Sequence, residues 1–280
     1  MVDPDSAELR QLSKRYGFDP DLLDDGIDLY ESPRLEHENG VTYIYVRYSS
    51  PEMMETSTEP LLIVVTAEML VTVARRAADP VQKLIKGGEV VTTQKTKLLL
   101  QLLNQVNLDY RSHLNYITKQ IFASRNRLQR RIVNDSDIIR FIDLEEDLNE
   151  FLAALQPYGI LLKALASGRY FNFHEKDIDL IEDLDLSTNE LIELSKSRLK
   201  TIQNMRDAYS TVAANNLNRT FRRLTSIAIF LSIFTVIGGL FGMNVQLPFQ
   251  DHPQAFWVIL GIIVLWVVAF VGYFRRKNWF

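Results

Sequence analysis

Cysteine is missing from the chain altogether, and with it go disulfides, thiolate metal sites and cysteine nucleophiles. Histidine is scarce. His37, His113, His174 and His252 are scattered without metal-ligand spacing, and no nucleophile motif or glycine-rich phosphate loop accompanies them. No enzyme is expected from such a pattern, and no organic cofactor. Net charge is only −4 over 280 residues, too balanced to point to nucleic acid. The opening stretch, Met1 to Gln11, lacks the basic and apolar regions of a signal peptide. The large N-terminal part is therefore expected to stay in the cytoplasm.

Charge is also missing locally. Leu224 to Met243 and Ala255 to Phe274 carry no ionisable side chain beyond the tyrosine at 273. Each run is about twenty residues, enough to span a hydrocarbon core of ~30 Å. Buried helices of a soluble core are the competing reading, but such helices usually keep a polar face. Arg219, Arg222 and Arg223 precede the first run, and Arg275, Arg276 and Lys277 follow the second. The connecting loop, Asn244 to Gln254, has neither Lys nor Arg. Both termini are thus expected in the cytoplasm and the loop outside, in a multi-pass protein of the plasma (inner) membrane. Trp257, Tyr273 and Trp279 sit near span ends, where amphipathic rings favour the interface.

In lipid, polar and small residues report what a helix faces. In steps of three and four, the first span shows Asn218, Phe221, Thr225, Ala228, Ser232, Thr235, Gly239 and Gly242. All but Phe221 are small or polar. Several copies around an axis would line a pore with this stripe, and close helix packing through small residues fits it equally well. The second span has no such polar face. Its Gly261, Ala269 and Gly272 suit packing against a neighbour, and it is expected on the lipid side. No carboxylate or histidine lies between Arg223 and Asp251, so an intramembrane proton relay is not expected. A cation there would meet only neutral oxygens, which suits Mg²⁺, an ion that keeps its waters.

Gly242-Met243-Asn244 ends the first span. With the segment from Asn218 to Thr225, the hairpin and the basic ending from Arg275 to Phe280, it resembles the CorA family of magnesium transporters. The resemblance is clear from about Asp183 to Phe280 and architectural before that. It implies an α+β membrane protein: an N-terminal α/β cytoplasmic domain, then a long helical stalk continuing into a two-helix transmembrane hairpin. Five copies would form a homopentameric funnel in membrane lipid, its pore lined by the first span. On the resemblance, Gly242, Met243 and Asn244 form the selectivity filter, with Asn244 holding a hydrated ion. Asn218 forms a polar ring, Phe221 and Leu224 the hydrophobic constriction, and Asp207 a carboxylate in the funnel wall. Thr225 and Thr235 belong to the pore, and Asp183 is a regulatory Mg²⁺ ligand. Phe241 stands where a tyrosine is common and Ile233 where many members have proline. The loop offers only Asp251 for an acidic ring, which leaves Co²⁺, Ni²⁺ and Zn²⁺ open beside Mg²⁺, and a branch of the family carries zinc. A non-conducting, membrane-anchored scaffold is the rival outside the transporter class.

Expected boundaries are an α/β domain over 1–90, a helical hairpin over 91–173 and a stalk helix over 174–223. The spans follow at 224–243 and 255–274, separated by the 244–254 loop and ended by the basic tail 275–280. Val41 to Tyr48, Leu61 to Thr66 and Met69 to Val73 read as strands. Asp79-Pro80 starts a short helix that Gly87-Gly88 stops. Long helices are expected from Thr92 towards Arg131, from Ser136 to Ala166, and from Glu175 into the membrane. The third repeats Leu184, Leu191, Leu194, Ile202, Met205, Tyr209 and Val212 at near-heptad spacing, as a pore-forming stalk would.

Three charge clusters stand out. Arg125, Arg127, Arg130 and Arg131 suit phosphate or a solvated helix end. Asp143, Glu145, Glu146, Asp147 and Glu150 suit cation attraction or an exposed helix face. Asp177, Asp179, Glu182, Asp183 and Asp185 suit a sensor or a plain charged face. Glu52 is the candidate partner for Asp183 across a subunit boundary.

Overall fold

The computed structural model describes residues 1–49, 58–88, 94–129, 135–244 and 253–276. They fall into two units, Met1–Arg206 and Asp207–Phe280.

The first unit opens with two short helices, α1 (Ser6–Tyr16) and α2 (Pro20–Asp25). A capping box between Asp5 and Glu8 starts α1, and Gly17 ends it in the left-handed conformation at φ 72°. Asp19 caps α2 through the Asp21 and Leu22 amides, with Pro20 at the first helical position.

Four antiparallel strands follow in the order β1 (Arg34–Glu38), β2 (Val41–Ser49), β3 (Thr58–Val65), β4 (Leu70–Ala74). Asn39 and Gly40, at φ 53° and 80°, make the two-residue turn between β1 and β2. Pro60 lies in β3 beyond the end of its pairing with β4, which begins at Leu61, so its missing N–H costs no hydrogen bond on that side. Every residue of β3 is buried, because helices cover both faces of the sheet. Tyr43, Tyr45, Leu62, Val64 and Val73 pack with Leu9, Phe18 and Leu23 of the α1–α2 segment. Ile44, Val46, Leu61 and Ile63 alternate onto the opposite face.

That opposite face carries a three-helix layer, preceded by the short α3 (Asp79–Lys86): α4 (Lys95–Gln129), α5 (Asp135–Ala166) and the beginning of α6 (Glu175–Phe241). The partners fix the directions. Leu103 meets Tyr158, Tyr110 meets Phe151 and Arg127 meets Asp137, so α5 runs antiparallel to α4. Asn107 meets Thr188, Arg111 meets Glu190 and Thr118 meets Arg198, so α6 runs parallel to α4.

This layer changes the reading of the heptad stripe. Leu184, Leu191, Ile202 and Met205 are buried inside the chain's own bundle. The stripe up to Met205 exists to pack α6 on its own α4 and α5, which is why α6 as far as Arg206 belongs to the first unit. Charge clusters are explained locally too. Arg127 pairs with Asp137 at 2.6 Å, and Glu145 with Arg206 at 2.6 Å. Arg130, Arg131 and Glu52 lie outside the described residues.

Two positions test this packing. A Cβ on Gly26 would come within 2.5 Å of Leu62 Cδ2 and 2.7 Å of its Cβ, in the middle of the sheet. Gly26→Ala is expected to cost about 1–3 kcal/mol, read as a lowered thermal midpoint. His113 is buried on α4, with Nδ1 2.9 Å from Ser49 Oγ and its ring 5.0 Å from Phe151. Burial lowers its pKa below 6.5, opposed by Asp147. The unfolded chain therefore takes up the proton first, and stability is lost as pH falls below about 6.5. The loss is at most about 1.4 kcal/mol per pH unit. His113→Gln keeps a partner for Ser49 and is expected to flatten this fall in the thermal midpoint between about pH 7 and 5.

Candidate ion path

The second unit contains the rest of α6 and α7 (Ala255–Arg276). Both helices carry windows apolar enough to cross a membrane, and both windows are almost wholly exposed in the single chain. Such a surface requires lipid or further copies to cover it.

The two helices meet along one seam. On α6 it consists of Phe230, Ile233 and Phe234, and on α7 of Ile263, Trp266, Val267 and Phe270. Phe230 and Phe270 lie 5.6 Å apart, and Phe270 stacks on Phe274 at 4.1 Å. Ser226 is fully buried, its hydroxyl donating to the Arg222 carbonyl at 2.8 Å. The α6 face towards α7 thus runs Ser226, Phe230, Ile233.

At 100° per residue, the stripe from Asn218 to Gly242 is centred about 150° away from that face. Among the described residues nothing covers it. Asp207, Asn218, Phe221, Leu224, Thr225, Thr235, Met243 and Asn244 are all exposed, and a Cβ added at Gly239 would meet nothing within 4 Å. Two of its hydroxyls are tied to their own helix. Ser232 donates to the Ile229 carbonyl at 2.8 Å and Thr235 to the Leu231 carbonyl at 3.2 Å. The proton is spent on the backbone, so what each hydroxyl presents outward is oxygen lone pairs.

Gly242 and Met243 form the turn that closes α6. Their amides donate to the Gly238 carbonyl at 3.0 Å and the Leu240 carbonyl at 3.3 Å. Asn244 follows directly. The motif therefore sits at a helix C-terminus, where unpaired carbonyls carry the negative end of the helix dipole. Asp251 and the rest of 245–252 lie outside the described residues, as do Lys277 and Trp279.

The whole chain can be compared with known proteins. A CorA-like Mg²⁺ transporter family profile covers residues 1–276. The chain belongs to the CorA family. It is 26% identical to the cobalt/magnesium transport protein CorA of Methanocaldococcus jannaschii over 99% of this chain and 89% of that one. With the cobalt/magnesium transport protein CorA of Thermotoga maritima the identity is 20%, over 97% and 79%. The complete structure of the CorA magnesium transporter from M. jannaschii superposes with a TM-score of 0.84 at 25% identity, covering all of this chain and 90% of that one. The soluble α/β domain, the long helix and the apolar C-terminal helix are the architecture of that family, whose members move Mg²⁺ and other divalent cations across membranes and are not enzymes.

Asp183 lies apart from the stripe, in the first unit. It is exposed on α6 and lines a cleft of about 240 Å³ against α4, with Lys97, Asn104, Leu180 and Ser187. Among the described residues it makes no ion pair within the chain. Its neighbour Asp185 lies 3.9 Å from Lys163. Two features went unread in the sequence: the aromatic seam around Phe230, and a buried pair between Asn107 and Thr188. The signal for the second is the interruption of the apolar heptads by Thr188 and Ser195.

Proposed function

We propose that the chain is the subunit of a homopentameric Mg²⁺ uptake channel of the plasma membrane, with α6 of each copy lining the pore and both termini in the cytoplasm. The observation that carries this is the uncovered small-and-polar face of α6, set opposite α7 and ending in Gly242-Met243-Asn244. Covered by lipid, that face would waste its polar groups; turned to a central axis, it becomes a hydrated wall.

The chemistry suits a hydrated ion. Mg²⁺ gives up its waters reluctantly, so a filter that strips them pays heavily. Five Asn244 amide oxygens would accept hydrogen bonds from the ion's own water shell, and Thr235 and Asn218 would extend such contacts along the path. The helix C-termini at Gly242 supply negative potential at the mouth without a carboxylate. Phe221 and Leu224 form the hydrophobic gate, which blocks conduction by expelling water, with Thr225 next to it and Asp207 drawing cations in the funnel wall. Asp183 closes the pore when cytoplasmic Mg²⁺ is plentiful, by sharing an ion with a carboxylate of a neighbouring copy. When Mg²⁺ is scarce the carboxylates repel and the open population grows.

Reconstitution in vesicles tests this, with Mg²⁺, Co²⁺, Ni²⁺ and Zn²⁺ compared. Mg²⁺ flux is expected, and Asn244→Ala is expected to lower it at least about tenfold, the effect of losing ~1.4 kcal/mol at the filter. Wild-type protein that passes no ion would sink the channel reading. Zn²⁺ flux without Mg²⁺ flux would reassign the cargo. Single cysteines probe the wall without background, since the chain has none of its own. Cysteines at Ser232 and Gly239 are expected to react with a charged, water-soluble thiol reagent, and one at Phe230 is not. Equal reactivity at all three positions would remove the stripe from the pore.

A further inference from the structure

Asn107 of α4 and Thr188 of α6 are 2% and 0% exposed, inside an otherwise apolar seam. Asn107 Nδ2 donates to the Leu184 carbonyl at 3.2 Å and to Thr188 Oγ1 at 3.1 Å, while the Thr188 hydroxyl donates to the Leu184 carbonyl at 2.8 Å. Other polar ties along this seam, Arg111 to Ser187 and Glu190 and Arg198 to Thr118, reach exposed or half-buried groups. Ion pairs so placed contribute little and re-form readily in a new position.

A slide of α6 by one turn, ~5.4 Å, would set Asn107 against Leu184 or Leu191. Neither offers a side-chain partner, and a buried amide without one is costly. Apolar contacts tolerate such a slide far better, since leucine fits leucine at many registers. A buried polar pair that bridges two helices in an apolar seam is thus a register device.

We infer that Asn107 and Thr188 are positioning residues that fix the axial register of α6 against α4. Phe221 and Leu224 lie further along the same helix, so this register also sets the height of the gate. The second step rests on the channel reading given above; the first does not.

Full-length protein in vesicles tests both. Spin labels on Ser112→Cys and Ser197→Cys, both exposed sites, report the α4–α6 distance by pulsed electron resonance. Labelled chains are diluted into an excess of unlabelled, cysteine-free chains, so that only distances within one copy are read. With Asn107 and Thr188 intact, one narrow distance is expected. The paired change Asn107→Leu with Thr188→Val replaces polar groups by apolar ones of similar shape, so the fold and its thermal midpoint are expected to survive. Its distance distribution is expected to broaden or to gain a second population displaced by about one turn. The Mg²⁺ concentration for half-closure should move at least threefold. Thr188→Ser by itself, with Asn107 kept, retains the hydroxyl and should leave both readouts at wild type. A single unshifted distance in the paired variant would overturn the register lock. A shifted distance with unchanged closure would overturn its link to the gate. If wild-type protein conducts no ion, the channel reading fails, and the distance measurement still decides the lock.

Discussion

Everything in this chain depends on one helix having to satisfy different surroundings on its successive faces. A backbone in hydrocarbon must bond to itself, so the spanning part of α6 must be helical throughout. The same helix, before Arg206, is held by apolar burial: Ile181, Leu184, Leu191 and Ile202 are shielded by the chain's own α4 and α5. Burial of that kind supplies most of the stability of a water-exposed helix layer. It supplies almost none between helices in lipid, where packing geometry takes over.

That change of solvent explains the change of residue types along α6. The bundle portion uses leucine and isoleucine where it meets its partners, and polar groups face water. Past Arg223 the order inverts. Large apolar residues such as Ile227, Leu231 and Val236 lie outward, and the small and polar residues gather on one line. The rings of Phe230 and Phe270 hold α7 on the side opposite that line. Gly261 and Gly272 of α7 meet nothing within 4 Å on the described residues, so they do not serve the seam with α6.

Much of this was legible beforehand, and for physical reasons. Runs of β-branched and aromatic residues marked β2, β3 and β4. Asp79-Pro80 and Gly87 bounded α3 to the residue. The elements that escaped, α1, α2 and β1, are short, and short elements draw their stability from tertiary contacts rather than local pattern. Their caps at Asp5 and Asp19 were the readable trace. The heptad stripe was seen but its partner was not, because periodicity says that a face is buried and never against what. Membership of the CorA family followed from the motif and hairpin. Glu52, the partner that the sequence suggested for Asp183, lies outside the described residues.

The loss of an acidic loop looks at first like the loss of cation attraction. The end of α6 argues otherwise. A carboxylate ring concentrates cations, but it also binds a divalent ion tightly enough to slow its release, and conduction needs ions to leave as well as enter. Unpaired carbonyls at a helix C-terminus amount to about half an elementary charge, spread over several oxygens. Such a field suits an ion that keeps its water shell, because the shell spaces the charge from the wall and asks for many acceptors rather than strong ones. A filter of this kind gains selectivity from how well a fixed oxygen ring fits one hydrated radius. The closing turn of α6 is itself tight at Gly242, where an added Cβ would meet the Gly238 carbonyl at 3.1 Å, so a glycine suits that position.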